Sequence, residues 1–182
     1  MKCLTYDETQ AWLNSFDVKI GEHRHLSFAQ PQDKLMITLP REPVRLHDFA
    51  SRVNEWLPQN VSQLIWISNW ETSPPDQFLL FEKLRVGCGE VRQLIESPGH
   101  LFEPAAPSTS EKAIANGIIF LILAFNWEGY LVAESCNDHI YLGDECLSFF
   151  SADDKKLKAA TDMVQSFDLK IIADIKEAWR KE

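Results

Sequence analysis

Glycine is scarce in this sequence, only 7 of 182 residues. Phosphate-binding loops need glycine after a strand, so that backbone N–H groups can approach a pyrophosphate at a helix start. The two turns where such a loop would belong are Pro40-Arg41-Glu42-Pro43 and Ser68-Asn69-Trp70-Glu71-Thr72-Ser73, and neither contains one. The sequence therefore argues against P-loop and dinucleotide-binding chemistry. It also lacks the Gly-x-Ser-x-Gly nucleophile elbow.

Long apolar runs are missing too. The most apolar segment, Ala113 to Trp127, is interrupted by Asn116 and closed by Glu111, Lys112 and Glu128. It falls short of the roughly 20 residues that a spanning helix needs. A buried core helix is expected, with no membrane span. Met1 to Glu8 lacks the apolar core of a secretory leader. The 4 cysteines, at 3, 88, 136 and 146, contain no C-x-x-C. Reduced thiols in a cytoplasmic protein are the expectation.

Positive charge is the last deficit. The chain carries net -9, and residues 59–150 hold 4 basic against 12 acidic side chains, which is -8 of that total. Such a field repels nucleic acid and anionic membrane and attracts basic partners.

What remains describes a packed globule. The apolar fraction is 45%, with 11 Phe and 6 Trp, and the length suits one domain spanning 1–182. Thr5 and Glu8 form a capping box that starts a short helix burying Trp12, Leu13 and Phe16. His23 to Phe28 reads as an edge strand, with His23, His25 and Ser27 on one face. Leu35 to Leu39 reads as a strand, followed by a helical stripe of Leu46, Phe49, Val53, Trp56 and Leu57. Leu64 to Ile67 has the length and composition of a strand covered on both faces. Ser73 and Pro74 start a helix through Phe78, Phe81 and Leu84, and Val91 to Glu96 reads as a third strand. Short connections in the order strand–helix–strand–helix–strand predict parallel neighbours. Pro98 to Pro107 reads as a loop and Thr109 to Phe125 as a helix.

The period then changes. Gly129 to Glu134, His139 to Leu142 and Cys146 to Phe150 read as short antiparallel strands joined by tight turns. Ser151 caps a helix with the stripe Leu157, Ala160, Val164 and Phe167, and a last helical segment carries Ile172, Ile175 and Trp179. The expected fold class is α/β: a mixed sheet, parallel in its first part and antiparallel in its second, with helices packed on it.

No motif names a reaction, a metal or a cofactor. Cys88 with His100 would make a thiol and its base, but Cys88 follows a helix C-terminus, where the dipole raises a thiol pKa. His23-x-His25 is half of a metal site without a third ligand nearby in sequence. In an open parallel sheet, ligands bind beyond the carboxyl ends of the strands. That rim would gather Arg41, Asn69, Trp70, Glu71, Glu96 and His100, with Glu71 or Glu96 as general base and His100 as its acid partner. Glu134, Asp138, Asp144 and Glu145 supply carboxylates for a partner surface.

Three classes of function follow. One is a non-catalytic module that binds a basic protein, in the manner of immunity proteins and antitoxins, a likeness of electrostatics alone. Another is a small-molecule hydrolase using the rim. The third is a structural or homo-oligomeric subunit in which Trp70, Trp127 and Phe150 form an exposed apolar patch.

Overall fold

The structure, a computed structural model, describes residues 1–29, 32–70, 74–104, 109–135, 137–143 and 145–173. The chain begins with β1 (Lys2–Leu4), α1 (Tyr6–Asn14) and a small hairpin, β2 (Val18–Ile20) and β3 (Leu26–Phe28). One 3-10 turn, Glu22–Arg24, separates the hairpin's strands. Then come β4 (Asp33–Thr38), α2 (Pro43–Trp56), β5 (Gln63–Asn69), α3 (Pro75–Gly87) and β6 (Gly99–Phe102). The second half holds α4 (Thr109–Ala124), β7 (Glu128–Ala133), β8 (Asp138–Gly143), β9 (Cys146–Ser151), α5 (Asp154–Ser166) and β10 (Ile171–Ile172).

Local chemistry explains most of these elements. Thr5 and Glu8 close the expected capping box: Thr5 N–H donates to the Glu8 carboxylate at 2.8 Å, and Glu8 N–H to Thr5 Oγ1 at 3.2 Å. Proline occupies the first turn of α2, where a missing N–H costs nothing. The buried face of α2 is Leu46, Phe49, Ala50, Val53 and Trp56. Asn116, the polar break in the apolar α4, donates to Ser51 Oγ at 3.0 Å and accepts from Asn54 at 2.7 Å. It joins α4 to α2. At α5 the cap is Asp153, whose carboxylate accepts from Lys155 N–H, rather than Ser151.

Eight strands form one sheet in the order β1-β6-β5-β7-β8-β9-β4-β10. Every neighbouring pair is antiparallel. The expected parallel first half is corrected by this topology. β4 and β5 do run the same way, because an even number of antiparallel steps separates them, but β7, β8 and β9 lie between. A strand–helix–strand pattern gives direction; it does not say which later strands will be inserted.

The expected strand at Val91 to Glu96 is a turn, and the third strand, β6, forms within the stretch that reads as loop. The reason is a buried arginine. Arg85 of α3 is fully enclosed, and its guanidinium donates to the Ser97 carbonyl and hydroxyl and to the Glu82 carboxylate. Glu82 in turn accepts from Leu94 N–H, while Glu96 and Ser97 N–H groups both turn back to the Gln93 carbonyl. These backbone groups are satisfied locally, so the segment folds along α3 instead of pairing with a strand. Ile172 lies in β10 rather than in a helix, and Ser73, Ile175 and Trp179 lie outside the described residues.

The sheet has two unlike faces. Ile37, Ile65, Leu131, Ile140, Leu147 and Phe149 point to a layer containing α2, α3, α4 and α5, and with those helices they make the main core. Among the described residues, the opposite face is covered by α1 and the β2–β3 hairpin, which pack Leu13 and Val18 against Leu64, Trp66, Leu101 and Val132.

Candidate functional site

Side chains alternate along a strand, so sending Leu131, Ile140, Leu142 and Phe149 to the helices forces their neighbours onto the second face. Those neighbours are Tyr130, His139, Tyr141 and Phe150. The hairpin stops short of them and leaves a cleft of about 430 Å³, lined by His25, Leu26, Phe28 and Gln32 on one side and these four rings on the other. That volume falls in the range of small-ligand sites.

The rings are ordered in two rows. His139 is sandwiched between Phe28, at 3.6 Å and 8°, and Phe150, at 4.4 Å and 7°. Tyr130 and Tyr141 form the second row, centroids 5.1 Å apart, and Trp66 stacks behind Tyr130. Two polar contacts close the row: Tyr130 hydroxyl to His25 Nδ1 at 3.2 Å, and Tyr141 hydroxyl, as donor, to the Glu128 carboxylate at 3.4 Å. Asn69 donates to the same carboxylate at 3.1 Å. Burial lowers the His139 pKa to about 3 and raises that of Tyr130. His139 Nδ1 is enclosed with no hydrogen-bond partner among the described residues. A neutral, aromatic site with a few oriented polar groups results.

The second exposed feature lies on the helix side. Leu79, Leu80 and Val86 of α3, with Val91 and Ile95 of the segment folded back along it, are 59%, 51%, 61%, 88% and 67% exposed. Five large aliphatic side chains this exposed on two adjoining elements are uncommon on an unpartnered surface. Asp76, Glu96 and Lys83 belong to the same elements.

The residues singled out in the sequence are scattered. His100 is fully enclosed on β6, edge-on to Phe81 at 5.7 Å, and its pKa is lowered to about 3 by burial and by the Arg85 guanidinium. The carbonyls of Ile65 and Pro98 lie near its ring, yet neither nitrogen makes a well-formed hydrogen bond. Glu96 is exposed, and its carboxylate accepts from Gln93 N–H at 2.8 Å. An enclosed imidazole and an exposed carboxylate tied to its own turn do not form an open acid–base pair. Glu71 lies outside the described residues.

Arg41 and Asn69 leave β4 and β5 at the same end of the sheet, but four strand spacings apart, about 19 Å. Trp70 carries the Arg24 guanidinium 5.7 Å from its centroid. Arg41 does share a hollow of about 420 Å³ with Glu145 and Asn126, which accepts from Glu145 N–H at 3.0 Å.

The three described hairpin carboxylates, Glu134, Asp138 and Glu145, do not make one surface. Consecutive turns of a meander lie at opposite ends of a sheet, so Glu134 and Asp138 are at one end and Glu145 at the other. Glu134 accepts from Ser62 N–H at 3.1 Å; Asp138 is buried, accepting from Ser151 at 2.7 Å with Lys156 at 3.4 Å. Asp144 lies outside the described residues.

Cys88 caps the C-terminus of α3, and burial raises its pKa; Cys3 and Cys88 are free thiols. Among the described residues no helix is long and apolar enough to cross a membrane.

Sequence reading missed both the cleft and the α3 surface, and the expected apolar patch of Trp70, Trp127 and Phe150 is not exposed: Trp127 is in the core and the other two are half-buried. The alternation Tyr130/Val132, His139/Tyr141 and Ser148/Phe150 was a visible signal: the positions opposite the core residues carry rings where a solvent face would carry charges. No family model matches this chain, and neither a curated protein nor a solved structure matches it.

Proposed function

We propose that this chain is a non-catalytic module that binds a basic protein through the outer surface of α3 and the segment folded along it. The observation that carries the reading is the group of five aliphatic side chains there, each at least half exposed. Full burial of such a side chain is worth about 1.5–3 kcal/mol, so covering the exposed parts of five supplies about 5–10 kcal/mol before the entropy of association is subtracted. The net charge of -9 supplies the other half of the argument. Acidic residues at both ends of the sheet make a diffuse field, which speeds encounter with a cationic partner, while apolar contact sets how long it stays.

Immobilised protein is to be tested for partner capture at about 0.05 M and about 0.5 M salt, because screening shortens the reach of surface charge. Val86→Asp and Ile95→Asp serve as the surface variants. The expected result is a basic partner, retained better at low salt and lost with either substitution, while the thermal midpoint stays unchanged. An acidic partner, salt-indifferent retention, or undiminished capture by both variants would refute the reading. A dimer that strengthens with salt and dissolves in the variants would hand the surface to a second copy of the chain.

A further inference from the structure

We infer that Cys3 and Cys88 are a redox pair that closes into a disulfide, tying the C-terminal end of α3 to the edge strand β1. The inference goes beyond partner binding and concerns two thiols that the reading above does not use.

Strand and helix geometry turn both thiols inward. β1 pairs with β6 so that Cys3 stands opposite His100, and directly opposed residues share a face of the sheet. His100 is edge-on to Phe81 of α3, so Cys3 faces the helix layer too, while its neighbour Leu4 packs on the second face. On α3, Phe81, Arg85 and Cys88 have the i, i+4, i+7 spacing of one helical stripe. The first two are fully buried. Cys88 prolongs the stripe, since its N–H still donates to the Leu84 and Arg85 carbonyls.

The thiols meet at one hollow of about 250 Å³, walled by Glu90 and Arg92. Arg92 donates to the Cys3 carbonyl at 3.0 Å and to the Glu90 carboxylate at 2.8 Å, so the chain leaving Cys88 folds back over Cys3. A disulfide needs the two Cβ atoms about 3.8 Å apart. Gly87 and Gly89 flank Cys88, a Cβ at either would meet nothing within 4 Å, and Gly89 has φ +88°. The Cys88 backbone therefore has room to shift towards Cys3 without displacing a packed side chain. Cys3 is the anchored partner, buried on its strand, and Cys88 the half-buried, adjustable one.

The oxidant is a peroxide. Cys88 reacts first, because it is the more exposed. Its thiolate sulfur attacks a peroxide oxygen, an S–O bond forms as the O–O bond breaks, and the departing hydroxide takes up a proton to become water. Cys3 then loses its proton and attacks the Cys88 sulfur; the S–S bond forms, and the S–O bond breaks with release of a second water. Two thiols lose two electrons and one peroxide gains them. Burial holds the Cys3 thiol up at about 11, while the Arg85 guanidinium beside it pulls the other way. The pair is therefore slow at neutral pH and faster in mild alkali, where more thiolate is present.

The test treats the whole reduced chain with hydrogen peroxide at about pH 8 and maps its peptides by mass spectrometry. The expected product is lighter by two hydrogen atoms, joins the peptides that hold Cys3 and Cys88, and is reversed by dithiothreitol. Its rate should not change over an about tenfold range of protein concentration, the mark of closure within one chain. The thermal midpoint should rise on oxidation, because the link restricts the unfolded chain. Cys88→Ser should leave Cys3 a thiol, and Cys3→Ser should leave at Cys88 a sulfenic acid that dimedone traps, each with an unchanged circular dichroism spectrum.

A link from Cys88 to Cys136 or Cys146, a link between chains, or a Cys88 sulfenic acid that persists in the wild type beside a Cys3 thiol would overturn the pairing. So would a wild type in which neither residue is oxidised. None of these results is read from capture at α3, so the two readings fail separately.

Discussion

Moving from about pH 7.5 to about pH 5 should cost this fold about 4 kcal/mol, because two enclosed histidines remain neutral while their unfolded counterparts take up protons. His100 and His139 both have pKa values near 3 in the folded chain, against an ordinary 6.5. Above 6.5 both states are neutral and the groups are silent. Below it the unfolded chain binds the extra protons, so stability falls steadily until the folded groups titrate near 3. At pH 5 the unfolded value lies about 1.5 units away, and at about 1.36 kcal/mol per unit each histidine costs about 2 kcal/mol.

The carboxylates do not confuse this window. Glu90, held near 2 by Arg92, contributes stability that is complete above 4.5 and is lost only as the pH falls further, towards 2. Urea unfolding at the two pH values is the assay, with His139→Phe keeping the ring stack and His100→Leu filling an apolar site. Each variant should remove about half of the acid-induced loss. A wild-type stability flat across the window, or variants that fall in parallel with it, would refute the assignment of these rings as neutral and enclosed.

Arg85→Leu is expected to cost about 3–5 kcal/mol by chemical denaturation, because it leaves the Glu82 carboxylate and the Ser97 carbonyl uncompensated. Gly117→Ala in the middle of α4, where an added Cβ meets nothing within 4 Å, should gain about 1 kcal/mol from helix propensity. Gly129→Ala should lose about 1–3 kcal/mol, since its Cβ would stand 2.7 Å from the Trp66 carbonyl oxygen. A neutral Gly129→Ala by thermal melting would show that β5 and β7 can separate freely.

Short-range order was legible in the chain itself. The Thr5–Glu8 box, the apolar stripe of α2, the core helix α4 and the three strands β7 to β9 all follow from periodicity and capping, which involve residues within a few positions of each other. The stripe Leu157, Ala160 and Val164 likewise marks α5, with the cap two residues later than Ser151. These signals reside in local backbone geometry, so no distant partner is needed to read them.

Tertiary structure alone decided what lies beside what. Nothing local in Leu35–Leu39 or Leu64–Ile67 says that a three-strand meander from residues 128–151 will slide between them, yet that insertion turned an expected rim into positions about 19 Å apart. His100 looked available for chemistry until Phe81 and Arg85 closed over it, and the segment at 91–96 gave up strand geometry because Glu82 and Arg85 satisfy its backbone from the side. Charge counted along the chain could give the sign of the field but not its location, since successive hairpin turns send their carboxylates to opposite ends of the sheet. Composition and period are sums over neighbours in sequence. A binding surface is a sum over neighbours in space, and for this chain those are different sets of residues.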